Sequence, residues 1–204
     1  FELRQGEVLG LLGPNGAGKT TTLKMLAGCL APSTGTIEIC GINLLEHPSA
    51  AKALLGYLPE TPPLYRELSV DEYLRLAARL HRVPKNEIAA AVNKTKQRCG
   101  LSEVGKRLVG NLSKGYQQRV GIAQAIVHNP RVVILDEPTV GLDPIQIREI
   151  RSLIRELGGE PVKLETALSE ARVIFALAGV TEENRGSLDR ARLEAGFPLI
   201  DVDF

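Results

Sequence analysis

Gly13-Pro14-Asn15-Gly16-Ala17-Gly18-Lys19-Thr20 sets three glycines, one lysine and one hydroxyl inside eight residues. The pattern G-x-x-x-x-G-K-[ST] is built to hold phosphate. Glycines let successive backbone N–H groups turn inward, and a helix starting at once adds its positive dipole end. Gly13, Asn15, Gly16, Gly18, Lys19, Thr20 and Thr21 are therefore expected to line a nucleotide's phosphates. Lys19 is placed for the β- and γ-phosphates, and the Thr20 hydroxyl for Mg²⁺. A Gly-rich turn without a ligand is the plainer reading. The full pattern between an apolar strand and a helix argues against it.

Val132-Val133-Ile134-Leu135-Asp136-Glu137 is an apolar run that ends in two carboxylates. Such a strand is buried, and its C-terminal end is where open α/β sheets bind ligands. Asp136 is the expected Mg²⁺ partner, directly or through water. Glu137 stands where it would orient or deprotonate an attacking water. Alone, the run also describes a strand entering a solvated turn. The phosphate loop upstream gives the pair its weight.

Leu112-Ser113-Lys114-Gly115-Tyr116-Gln117-Gln118-Arg119 lies shortly before that strand. Ser113 reads as an N-cap, and the helix behind it offers free N–H groups to an anion. A well-capped core helix explains the serine but not the whole string. The string resembles the signature motif of ATP-binding cassettes. Pro138-Thr139-Val140-Gly141-Leu142-Asp143 resembles the family's turn after its catalytic Glu, and Gly56-Tyr57-Leu58-Pro59-Glu60 sits where the family has its Q-loop. The resemblance spans about residues 1 to 157. Within the family, the Gly-Tyr-Gln-Gln-Arg form and the Tyr-Leu-Pro-Glu segment are most similar to bacterial ABC-2-type exporters.

That resemblance implies ATP and Mg²⁺ as cofactors and hydrolysis of ATP. Glu137 and Lys19 become catalytic, and Thr20, Asp136 and Glu60 become metal ligands. Ser113 and Gly115 are implied to hold the γ-phosphate bound by the P-loop of a second subunit. Asp143 becomes the D-loop Asp that meets that subunit. The implied partners are a paired subunit, as a homodimer or with a related chain, and a separate transmembrane subunit whose export it drives. The place implied is peripheral, on the cytoplasmic face of the cell membrane, with membrane contact only through the partner.

Three departures stand against this resemblance. The family begins one or two strands earlier with an aromatic that stacks on adenine, so the ATPase domain, residues 1–157, reads as N-terminally truncated. Glu60 replaces the family's Gln. A switch His is implied at the end of the strand after the D-loop helix, yet His47, His81 and His128 all precede Asp143. Lys163-Leu164-Glu165-Thr166-Ala167 is expected to be that strand, with Ala167 near the His position. The three histidines present read as surface or helix positions without chemistry. Residues 158–204 read as a divergent segment, with strands at Val173 to Val180 and Leu199 to Phe204 and a helix at Ser187 to Ala195.

The elements that must position these groups follow from pattern. Glu7 to Leu12 reads as a buried strand, Lys19 to Leu30 as a helix, and Thr36 to Ile39 and Leu54 to Leu58 as strands. Ser69-Val70-Asp71-Glu72 is a capping box ahead of apolar Leu74, Ala77 and Leu80. Helices are expected from Lys85 to Cys99, from Ser113 to about Asn129, and from Ile145 to Leu157, the last started by Pro144. The fold class is α/β: a P-loop core with a mostly parallel sheet, a small antiparallel β piece, and a helical insert at about 66–128.

Composition narrows the functional classes. The 204 residues carry a net charge of +1, 4% aromatics and no Trp. No basic footprint or stacking surface points to nucleic acid. Cys29, Cys40 and Cys99 are scattered without metal spacing and read as reduced, packed thiols. No apolar run reaches the ~18 to 20 residues of a membrane span. Two other readings remain: a nucleotide-binding module with little turnover, since the adenine aromatic and switch His are absent, and a soluble ABC protein outside transport.

Overall fold

The computed structural model describes residues 1–3, 8–12, 16–158, 172–176 and 199–201. Apolar Val8–Leu12 forms β1, and Lys19–Leu26 forms α1 directly after the phosphate loop. Glu38–Ile39 (β2) and Ile42–Asn43 (β3) pair antiparallel as a separate small sheet. A short helix α2, Pro48–Ala53, begins at a proline and leads into β4, Leu55–Leu58.

The insert follows. Val70–Leu80 (α3) is started by the expected capping box: Glu72 N–H donates to Ser69 Oγ at 3.3 Å, and Ser69 N–H donates to Glu72 Oε2 at 2.9 Å. Ile88–Arg98 (α4) and Lys114–Ile126 (α5) complete it. Lys96 Nζ and Asp71 Oδ1, 2.6 Å apart, tie α4 to the first turn of α3. Val132–Asp136 is β5, and Pro144–Gly158 is α6. Arg172–Ala176 is β6 and Leu199–Asp201 is β7.

The main sheet is parallel throughout, in the order β4-β5-β6-β1-β7. Period-2 alternation splits its core in two. Val133 and Leu135 of β5 face α3, α5 and α6, where Leu74, Ile122 and Ile150 are buried. Val132 and Ile134 face the other way, onto Leu11, Leu23 of α1 and Leu55. Truncating a fully buried leucine such as Leu74 to Ala is expected to cost about 2 to 5 kcal/mol.

Residues 158–204 thus supply two strands of the main sheet. The strand between the phosphate-loop strand and the Asp136 strand is Arg172–Ala176, paired to both. Val173 to Val180 is therefore a strand in its first residues. The stretches Lys163–Ala167 and Ser187–Ala195 lie outside the described residues, and the expected strand at the end of the chain is seen at 199–201. The cysteines differ from expectation: Cys99 is buried, whereas Cys29 and Cys40 are exposed. Each lies at a helix end or tight turn, where period alone gives no burial. Among the described residues no helix is long and apolar enough to cross a membrane.

Candidate functional site

The site lies where β1, β4 and β5 end. Gly16 and Gly18 have φ of 90° and 81°, left-handed values that a side chain would strain. Gly18 is the N-cap of α1 and makes no side-chain capping bond, and no acidic residue occupies the first turn. The helix therefore starts with its N–H donors uncapped by a side chain, facing the loop, as an anion site requires. Lys19, on that first turn, is 6% exposed. Thr20 is half-buried and Thr21 exposed. Gly13, Pro14 and Asn15 lie outside the described residues.

β5 brings Asp136 to the same point. The Thr20 hydroxyl donates to Asp136 Oδ1 at 3.3 Å. Asp136 is 1% exposed, and its Oδ2 is buried without a hydrogen-bond partner. A buried acceptor left open beside a hydroxyl is the arrangement a hard divalent cation fills. The residues present fit Mg²⁺. Burial raises the Asp136 pKa, the Thr20 bond opposes this, Glu60 raises it further, and Lys24 and Lys19 lower it.

Glu137 is half-buried, with φ of 47°. A long side chain in the left-handed region costs about 1 to 3 kcal/mol and is a common mark of functional sites. Burial raises its pKa first, then the charges of Glu60 and Asp136, with Lys19 opposing. Glu60 itself is exposed, just past β4. Its charge reaches both Asp136 and Glu137. The structure thus gathers Lys19, Thr20, Glu60, Asp136 and Glu137.

Ser113, Gly115 and Asp143 are organised around a different contact. Ser113 caps α5, its Oγ accepting from Tyr116 N–H at 3.5 Å. Asp143 caps α6, its Oδ1 accepting from Ile145 N–H and Gln146 N–H, both at 2.9 Å. The Gln146 amide lies against Gly115. Ser113 and Asp143 are exposed.

Two residues escaped the sequence reading. Tyr57 stands opposite Ile134 in register, on the face that also carries Asp136. Its hydroxyl is buried without a partner, and its pKa is pushed up to about 12 by burial, then by the Asp136 and Cys29 charges. Strand alternation was the signal available for it. Gln146 left no such signal. The histidines also depart from the bland expectation: His81 and His128 stack with ring centroids 3.6 Å apart.

Residues 1–140 match the family model described as ABC transporter. The chain belongs to the ABC transporter family. It is 42% identical over 160 residues to the bacitracin transport ATP-binding protein BcrA of Bacillus licheniformis, covering 78% of this chain and 51% of that protein. It is 35% identical over 209 residues to the daunorubicin resistance ATP-binding protein DrrA3 of Streptomyces coeruleorubidus, covering 99% of this chain and 66% of that protein. The chain spans about half the length of the first curated relatives it matches. Among solved structures it resembles an ATP-binding subunit of an ABC transporter (TM-score 0.73, 27% identity, 96% of this chain and 90% of that one). It also resembles cbiO1 of Clostridium perfringens, part of the transporter complex cbiONQ (TM-score 0.75, 30% identity, 88% of this chain and 70% of that one). ABC ATP-binding subunits bind ATP with Mg²⁺, are generally ATPases, and pair with transmembrane subunits. Both the family and the P-loop fold agree with the reading of the sequence.

Proposed function

We propose that this chain is the ATP-binding and ATP-hydrolysing part of an ABC exporter, working through a separate membrane subunit from the cytoplasmic face. The observation that carries the catalytic reading is the convergence of Thr20, Asp136, Glu137 and Glu60 at the start of α1. Gly13 to Thr21 hold the phosphates, with Lys19 reaching the β- and γ-groups. Thr20, Asp136 and Glu60 hold Mg²⁺, which neutralises phosphate charge when bound. Glu137 orients the attacking water and takes its proton. The groups act by positioning and electrostatics, as phosphoryl transfer requires. Ser113, Gly115 and Asp143 are exposed or beside exposed residues at the two helix starts, suited to meet a second subunit's nucleotide. The reading of export draws on two relatives, one named for bacitracin transport and one for daunorubicin resistance, because outward transport of a drug confers resistance.

A second reading, nucleotide binding with little turnover, is favoured by one relationship. β6 runs between β1 and β5 with Ala176 opposite Asp136, and no histidine follows His128 in the sequence. The strand on which the family resemblance implies a switch His thus carries no histidine. Phosphate release from Mg–ATP separates the readings. Turnover that is abolished by Glu137→Gln supports the enzyme. Tight ATP binding with no release from the unaltered chain supports the binding module.

A further inference from the structure

The starts of α5 and α6 lock together through a reciprocal pair of glycine seats. A methyl group built on Gly115 would lie 2.6 Å from Gln146 Cδ, 2.7 Å from Oε1 and 2.8 Å from Nε2. The whole amide of Gln146 therefore lies against the bare Cα of Gly115, which is buried. In the other direction, a methyl on Gly141 would overlap Lys114 Nζ and lie 3.0 Å from Cε and 3.5 Å from Cδ. The stem of Lys114 runs along Gly141, whose φ of 68° already excludes most side chains. Adjacent residues 114 and 115 thus cover, and are covered by, residues 141 and 146.

Both seats connect to the proposed chemistry. Gln146 is anchored at its backbone by the Asp143 carboxylate, 2.9 Å from its N–H. Gly141 belongs to the turn that begins at Glu137, where Val140 N–H donates to Glu137 O at 3.2 Å. Glu137 is the residue held at a left-handed φ. The Gln146 amide against buried Gly115 and the Lys114 stem along Gly141 give the α5 start two contacts through which a displacement can reach the turn carrying Glu137.

We propose that Gln146 and Lys114 are positioning residues. They clamp the signature start to the D-loop turn, setting the height at which Ser113 and Gly115 meet a second subunit's ATP. They link that engagement to the placement of Glu137. This rests on the head-to-tail pairing proposed above. Neither side chain touches the reacting atoms.

The test uses the full chain carrying Glu137→Gln, with light scattering followed against ATP concentration. Adding Gln146→Ala is expected to raise the ATP midpoint for pairing at least tenfold. Affinity for Mg–ADP, which lacks the γ-phosphate and reports the phosphate loop alone, is expected to stay within twofold. Gln146→Met, close in length and shape, is expected to restore the midpoint to within about twofold. Lys114→Ala is expected to act in the same direction, and the double variant to be no worse than the worse single, since the two seats form one unit. Pairing of the parent with an unchanged midpoint in Gln146→Ala overturns the positioning role alone. Failure of the parent to pair in ATP sinks the head-to-tail reading instead. Additive losses overturn the single-unit claim, and a parallel loss of Mg–ADP affinity reduces Gln146 to a general structural residue.

Discussion

Thr20 and Asp136 meet at 3.3 Å although they are 116 residues apart in the chain. The bond joins the first turn of α1 to the C-terminal end of β5. It leaves the second Asp136 oxygen buried and open. Removing that carboxylate's charge by Asp136→Asn is expected to weaken the Mg²⁺ dependence of ATP binding. Lys19→Ala is expected to abolish most ATP binding outright. Calorimetric titration with and without Mg²⁺ checks both, and unchanged affinity in Lys19→Ala would sink the phosphate-loop assignment.

Glu137→Gln keeps shape but loses the ability to accept a proton. It is expected to retain ATP and to lose turnover ~100-fold or more, the range in which general-base contributions lie. Because the nucleotide at the interface then persists, the variant is expected to accumulate as a pair in ATP. Phosphate release and light scattering read the two effects on one sample.

Glu60→Gln tests the carboxylate cluster. The Glu60 charge raises the pKa of both Asp136 and Glu137. Removing it lowers both, so the unprotonated forms persist to lower pH. The acid limb of kcat/KM is therefore expected to move to lower pH. An acid limb that stays in place, or moves upward, removes Glu60 from the site.

The His81–His128 stack makes stability depend on pH. His128 Nε2 donates to the Leu55 carbonyl at 2.9 Å, and its Nδ1 is buried without a partner. Burial lowers the His81 pKa, and burial followed by the His81 charge lowers His128 to about 4. The charged residues nearest the pair in the chain are Arg79 and Arg82 around His81 and Arg131 after His128, all cationic, while the acidic Asp71 and Glu72 lie at the opposite end of α3. The fold therefore prefers neutral rings. Their contribution is present above the unfolded pKa of ~6.5 and is lost as pH falls toward 4. The loss is expected to be on the order of 2 kcal/mol after solvent screening. Urea unfolding at pH 7 and pH 4.5 measures it, and His81→Phe, which keeps a stacked ring without a charge, is expected to shrink the difference.

Ser69→Ala removes the hydroxyl that accepts from Glu72 N–H. The loss is expected to be about 1 kcal/mol, with an unchanged dependence on denaturant because no new surface is exposed. A larger loss would mean that the antiparallel Ser69–Leu108 bridge, which ties the start of the insert to the segment before α5, also breaks.

The sequence by itself determined whatever is encoded in consecutive residues. Gly16 and Gly18 specify left-handed backbone, Ser69 and Ser113 specify helix starts, and Val132 to Leu135 specify a buried strand. Motif order then specified the family and the α/β class. Tertiary structure alone decided the contacts between segments. The bond from Thr20 to Asp136, the reach of Glu60 to Glu137, the burial of the Tyr57 hydroxyl within reach of the Asp136 charge and the seat of Gln146 on Gly115 depend on register and packing, which local pattern does not carry. The strand between β1 and β5 shows the same limit. Both Lys163–Ala167 and Val173–Val180 read as strands from pattern, and parallel pairing to two neighbours at once places Arg172–Ala176 between β1 and β5, while Lys163–Ala167 lies outside the described residues. The stacked His81 and His128 were unremarkable in sequence for that reason too. A half-exposed histidine at a helix end looks like any other until the fold sets a second one against it.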